Sequence, residues 1–254
     1  MSAFTVDFSS YKKSIPAALD LIEARELLKN QKTILIKPNV INDSKHPITT
    51  HPDCCEALVE YIRGCSRAEI IIAEGCGEPS LETSNIFDKL GYTELAQRQG
   101  IELMDLNQEF LKELKNSNCT VFPEMYLPQI VFDCFLISVP VLKAHSLADI
   151  TGSLKNMIGL APPKYYGGRN GSWKKASFHR NIHQAILDLN QYRSPDLSLL
   201  DASIGMAEYH LGGPQCDPPV SKLISGFDPW EVDREAASLL GLSWKQITHL
   251  KNRN

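Results

Sequence analysis

Two kinds of apolar spacing alternate along this chain. Thr33-Ile34-Leu35-Ile36, Glu69-Ile70-Ile71-Ile72-Ala73 and Ile101-Glu102-Leu103-Met104-Asp105 are short β-prone runs with few polar interruptions, the pattern of strands buried on both faces. Between them, Ala18, Leu19, Ile22, Leu27 and Leu28, and then Ala57, Leu58, Tyr61 and Ile62, recur at helical spacing. This predicts amphipathic helices over residues 15–29 and 53–63. Residues 84–100 predict further helix, broken at Gly91. Helix and strand thus alternate through residue 105, which predicts an α/β fold: a mostly parallel sheet with helices on both faces, three layers, over residues 1–254 as one domain.

The second half carries the same signals with more punctuation. Val121-Phe122 and Gln129-Ile130-Val131, set apart by Pro123 and Pro128, predict a small hairpin or edge. Phe132 to Val139 reads as a buried strand closed by Pro140, and Thr151-Gly152-Ser153 as a helix start with Lys155 in its first turn. Phe178 to Tyr192 reads as a helix with His179 and His183 on one side. Leu197 to Leu200 and Lys222 to Ser225 read as strands. Asp228-Pro229-Trp230-Glu231 has Asp at N-cap, Pro at N1 and Glu at N3, and a terminal helix runs from Trp244 to Leu250. Residues 160–177, basic and rich in Pro, Gly and Tyr, and residues 207–220 are expected to act as lid-like loops.

Composition narrows the partners. The chain has 254 residues, 43% hydrophobic and 22% charged, with a formal net charge of −4, so it has no bulk attraction for nucleic acid or an anionic membrane. No apolar run approaches a membrane span, and Met1 to Ser10 lacks a basic stretch followed by an apolar one. A cytoplasmic protein is expected. The seven cysteines are scattered, with no Cys-x-x-Cys, which fits a reducing compartment and gives no iron–sulfur motif within this chain. Gly75-Cys76-Gly77 lacks the third glycine of a dinucleotide fingerprint.

Polar residues cluster where strands end. Lys37 and Asn39, Glu74, Lys143 and His145, and Asp201 each follow or close an apolar run. In an α/β sheet such positions face one crevice. Lys143 and His145, two apart, point the same way if the backbone stays extended. Lys155 sits where the helix dipole is already positive, which makes sense if an anion, either a substrate or an acidic side chain, accompanies it. His51 precedes Pro52 above a helix start capped by Thr50 or Asp53, and Asp233 falls among Val232, Ala236 and Ala237, facing inward, where it needs a partner. The first reading is an enzyme acting on a small anionic substrate, a carboxylate or a phosphate. In it His145, His51 and Lys143 are catalytic, and Lys37, Asn39, Lys155, Asn156, Arg169, Glu74, Asp201 and Asp233 bind substrate or balance charge. A second reading is a metal site drawn from His51, His145, His179, Glu74 and Asp201, which the lysines oppose. A third is a non-catalytic module that binds an anionic metabolite or serves iron–sulfur assembly. A sheet-edge homodimer is compatible with all three.

Together, Lys37-Pro38-Asn39, Thr50-His51-Pro52, Glu74-Gly75, Pro140 to His145, Gly152 to Gly159, Asp201 and Asp228 to Asp233 resemble the family catalogued as domain of unknown function 362, from about Thr33 to Gly241. Many of its members carry an appended ferredoxin-like domain with two iron–sulfur cysteine runs, which implies redox chemistry for them. This chain has no such cysteines, so a ferredoxin-coupled role here implies a separate ferredoxin. The resemblance sharpens the site and supplies no reaction.

Overall fold

The computed structural model describes residues 2–168 and 173–253. The chain opens with β1 (Phe4–Asp7), α1 (Tyr11–Leu21) and α2 (Ala24–Leu28). The single helix expected over 15–29 is two, because Glu23 enters the left-handed region at φ 54° between them. Strand β2 (Thr33–Pro38), α3 (Pro52–Arg63) and β3 (Glu69–Glu74) follow as expected. Helices α4 (Thr83–Leu90) and α5 (Tyr92–Gln99) part at Gly91, whose φ of 89° suits glycine, and β4 (Glu102–Asp105) comes next.

The hairpin lies elsewhere than the sequence suggests. It pairs β5 (Leu111–Lys115) with β6 (Glu124–Pro128), while Gln129–Phe132 is a 3₁₀ turn. Exposed Lys112, Glu113 and Lys115 hide β5 from an apolar pattern, and only Met125 and Leu127 of β6 alternate inward.

From Cys134 the chain runs through β7 (Phe135–Val139), β8 (Val141–His145) and β9 (Asp149–Thr151) into the short α6 (Ser153–Asn156). It continues through α7 (Pro163–Tyr166), α8 (Ile182–Tyr192), β10 (Leu197–Met206), β11 (Lys222–Gly226), α9 (Pro229–Leu239) and α10 (Thr248–Lys251). Asp228 caps α9 by accepting the Trp230 N–H, as its sequence predicts.

A nine-stranded sheet has the order β1-β11-β10-β7-β2-β3-β4, with β8 continuing along β10 and pairing with β9. Strands β10, β7, β2, β3 and β4 are mutually parallel, and β11 and β1 add antiparallel strands at one edge. Side-chain alternation produces the layers. Ile34, Ile36, Ile70, Ile72, Leu197 and Leu199 pack under α1 to α5, and Leu35, Ile71, Leu136, Leu200 and Ala202 under α6, α8, α9 and α10. Among the described residues, no helix is long and apolar enough to cross a membrane.

The chain builds outward from β2 to β4 and then returns to place β7 on the other side of β2. Strand order therefore reverses between β2 and β7, where open α/β sheets form crevices at the carboxyl ends of their strands. The β2–β7 ladder ends at Pro38 opposite Val139, and β8 leaves β2 to follow β10. Neither Pro38 nor Pro140 has an N–H to extend that ladder.

Candidate functional site

A cavity of about 400 Å³ opens at this reversal. Asn39 from the end of β2, Glu74 and Gly75 from β3, His145 from β8 and Lys155 and Asn156 from α6 line it. The segment 173–179 adds Trp173, Lys175 and His179, and the loop after β10 adds Tyr209, His210 and Leu211. Parts of both segments expected to act as lids thus form walls.

Four lysines gather around the cavity, and their partners differ. Lys37, fully buried, pairs with Glu74 and also donates to Asn156 Oδ1 at 3.2 Å. Burial pushes Lys37 down and Glu74 up, each against the attraction of the other. Whichever holds the shared proton, the pair carries no net charge. Gly159 permits this packing, since a Cβ there would run into both Glu74 and Lys37. Lys143 donates to Asn39 Oδ1 at 2.8 Å and to the Ile48 carbonyl. Burial, followed by the charge of Lys155, lowers it to about 7. Lys175 donates to Asn107 Oδ1 and the Ala161 carbonyl, and burial lowers it to about 7 as well.

Lys155 is the exception. Among the described residues its ammonium has no hydrogen-bond or ion-pair partner, and burial, followed by Lys37, lowers it to about 8. The short helix carrying it does have the acid that a helix start calls for. Asp233 accepts the Ser153 N–H at 2.5 Å and the Leu154 N–H at 3.0 Å, and a Cβ on Gly152 would collide with it. Burial raises Asp233 to about 7 against those two donors. Asp233 is therefore a helix cap that does not line the cavity, which corrects its assignment as a substrate ligand.

Three imidazoles stand with Lys155. His145 stacks on His210, with ring centroids 3.9 Å apart, and lies 6.4 Å from His179. His145 Nδ1 accepts the N–H groups of Leu147 and Ala148, both at 3.1 Å, so its proton resides on Nε2. Burial and then Lys155 drive His145 far below the usual histidine range and His210 to about 3; the same two causes lower His179. All three are neutral at pH 7. His145 is a hydrogen-bond donor held in one tautomer, poorly suited to the base role that sequence alone left open.

Several expected site residues lie elsewhere. Lys37 and Lys143 brace the walls from behind rather than line the cavity. His51 is the N-cap of α3, its Nδ1 accepting the Asp53 N–H at 3.1 Å, in place of the expected Thr50 or Asp53 cap. Asp201 lies within the ten-residue β10 rather than at a strand end, on the face of α1 and α3. It accepts from Tyr11 Oη at 2.7 Å and the Ser203 N–H at 2.9 Å, with His46 Nε2 at 3.2 Å. Burial would raise Asp201, but His46 and Ser203 together hold it below its usual value. With His51 and Asp201 outside, the proposed metal-ligand set is not assembled, and among the described residues no three His, Cys, Asp or Glu side chains converge as metal ligands. His179 and His183 do not share a helix face: His179 lies in a 3₁₀ turn and lines the cavity, while His183 meets His249 at 2.9 Å. Arg169 lies outside the described residues. Sequence reasoning did not assign His210, Lys175, Trp173 or Tyr209 to the site. Their loops are marked only by overall composition, and nothing local distinguishes the residues that turn inward.

Comparisons with known proteins address fold and kinship. No curated protein matches the chain. A solved structure of a protein from Thermotoga maritima aligns over 94% of this chain and 60% of its own, at 15% identity and a TM-score of 0.52, which shows a shared fold. The lactate racemase apoprotein from Thermoanaerobacterium thermosaccharolyticum aligns over 76% of this chain and 49% of its own, at 14% identity and a TM-score of 0.48. The chain thus spans about half to three-fifths of these neighbours. A family model described as Domain of unknown function (DUF362) matches residues 34–238.

Proposed function

This chain belongs to the DUF362 family, whose description assigns no reaction, and from its site we propose an enzyme that binds a small carboxylate or phosphate at Lys155 and moves a proton beside it. One observation carries the reading. Of the four lysines gathered here, Lys155 alone has no acceptor among the described residues, and it faces a cavity whose single lining carboxylate, Glu74, is already joined to Lys37. A substrate anion supplies the missing partner. The His145 Nε2–H serves as a neutral electrophile toward developing negative charge, as an imidazole held unprotonated can. With His145 Nδ1 occupied by the Leu147 and Ala148 N–H groups, His179, which also lines the cavity and is kept neutral by burial and Lys155, is the proton acceptor. Asn39 and Asn156 are polar groups already oriented, Asn39 by Lys143 and Asn156 by Lys37 O and Ser138 Oγ.

Calorimetric titration of acetate, succinate and inorganic phosphate into wild type and Lys155→Met tests the reading. At least one anion is expected to bind the wild type and to lose about 30-fold in affinity in the variant, roughly 2 kcal/mol. The anion prefers protonated Lys155, whose free-state value is about 8. Affinity should therefore be level below that pH and fall about tenfold per unit above it. Equal affinity in the two proteins sinks the assignment of Lys155, and binding with no turnover of any bound acid sinks the enzyme.

A further inference from the structure

We infer that the ligand of this site is an amphipathic monoanion, a carboxylate with a flat, aryl-class tail that lies against Leu147, Trp173 and Tyr209. The inference rests on the anion-binding reading above and deepens it. Eight large apolar or aromatic side chains are exposed among the described residues. Three of them, Leu147 at 52%, Trp173 at 37% and Tyr209 at 44%, border this one cavity. They come from the turn between β8 and β9, from the start of the segment 173–179 and from the loop after β10, so nearness in sequence does not explain their meeting. Ile41, Ile158 and Leu211 extend the apolar wall inward. Exposed apolar surface concentrated at a cavity mouth marks surface that a ligand covers.

Charge limits the other end of the ligand. Lys37, Lys143 and Lys175 already donate to protein oxygens, which leaves Lys155 as the one lysine of the four without an acceptor among the described residues. One carboxylate head supplies that acceptor, whereas a second carboxylate at the mouth would meet the apolar wall of Leu147, Trp173 and Tyr209 and remain unpaired. A volume of about 400 Å³ suits a ring with a short acid chain, being near the lower end of the ~300–1,000 Å³ typical of small-molecule sites.

Four ligands separate head from tail in one calorimetric series at pH 7: propanoate, 3-phenylpropanoate, 3-phenylpropanamide and succinate. Here 3-phenylpropanoate is expected to bind at least about tenfold more tightly than propanoate or succinate, as burial of a ring predicts. Trp173→Ala and Tyr209→Ala, both at exposed positions, should each shrink the ratio of 3-phenylpropanoate to propanoate affinity several-fold, with melting temperatures near wild type. If propanoate or succinate binds as tightly as 3-phenylpropanoate, the tail is wrong and the anion site stands. If the amide binds as tightly as the acid, the anion reading itself fails. Absence of binding by all four overturns the aryl carboxylate, and if inorganic phosphate also fails to bind, the anion reading falls with it.

Discussion

Two polar clusters flank the loop that runs from Asn39 to His51, and they differ in whether their bonding is complete. Behind the loop, Asp201 gathers Tyr11, the Ser203 N–H and His46, with His51 stacked on Tyr11 at 5.9 Å. In front of it, Lys37, Glu74, Asn39, Asn156 and Lys143 form an equally closed lattice, but Lys155 and the three imidazoles beside it face open space. A polar group whose hydrogen bonds are complete within the protein has nothing left to offer a ligand, whereas one that faces a cavity without a protein partner does. Buried charge alone is therefore a poor guide to function here. Incomplete pairing is the better one, and it separates Lys155 from Asp201 although both looked alike as charged residues near apolar runs.

The largest test falls on the closed part of the front cluster. Glu74→Ala leaves Lys37 buried without its counter-charge and should cost about 3–5 kcal/mol, seen as a melting temperature lowered by about 10 °C or more. The double variant Lys37→Met/Glu74→Leu should regain most of that loss, since an apolar pair removes both desolvation terms. No recovery would mean that the carboxylate is held by something other than Lys37. A smaller loss is expected behind the loop. Asp201→Ala removes the acceptor of Tyr11 and Ser203 and should cost about 3 kcal/mol, while anion affinity remains within about twofold of wild type. Lys155→Met should do the reverse. If both variants lose affinity together, the two clusters are one site.

Much of this architecture was legible in the sequence because it rests on periodicity. Ile70 to Ala73 and the break at Gly91 are local signals, and the alternation of helix and strand predicted the parallel sheet observed. Lys143 and His145 do lie on one extended strand, so the two-residue rule brought them close to the right place. What remained hidden was long-range. That Asp233 caps α6, 79 and 80 residues away in sequence, depends on how α9 packs. That His51 caps α3 instead of entering the cavity depends on which way one loop folds. Periodicity identifies which residues are near a strand end, but not which side of a loop they face.

The finest test of that division is His51 itself, the residue whose assignment changed most. Its Nδ1 satisfies one of the otherwise free N–H groups at the start of α3, and its ring contacts Tyr11 and His46. The side chain is 42% exposed, so its loss opens no sealed cavity. His51→Ala should then cost what a lost N-cap costs, about 1 kcal/mol, and lower the melting temperature by roughly 2–4 °C. Anion affinity and its fall above pH 8 should be those of wild type, because the titrating group there is Lys155. If His51→Ala instead weakens binding about tenfold with stability unchanged, the loop does not insulate the two clusters, and His51 returns to the site.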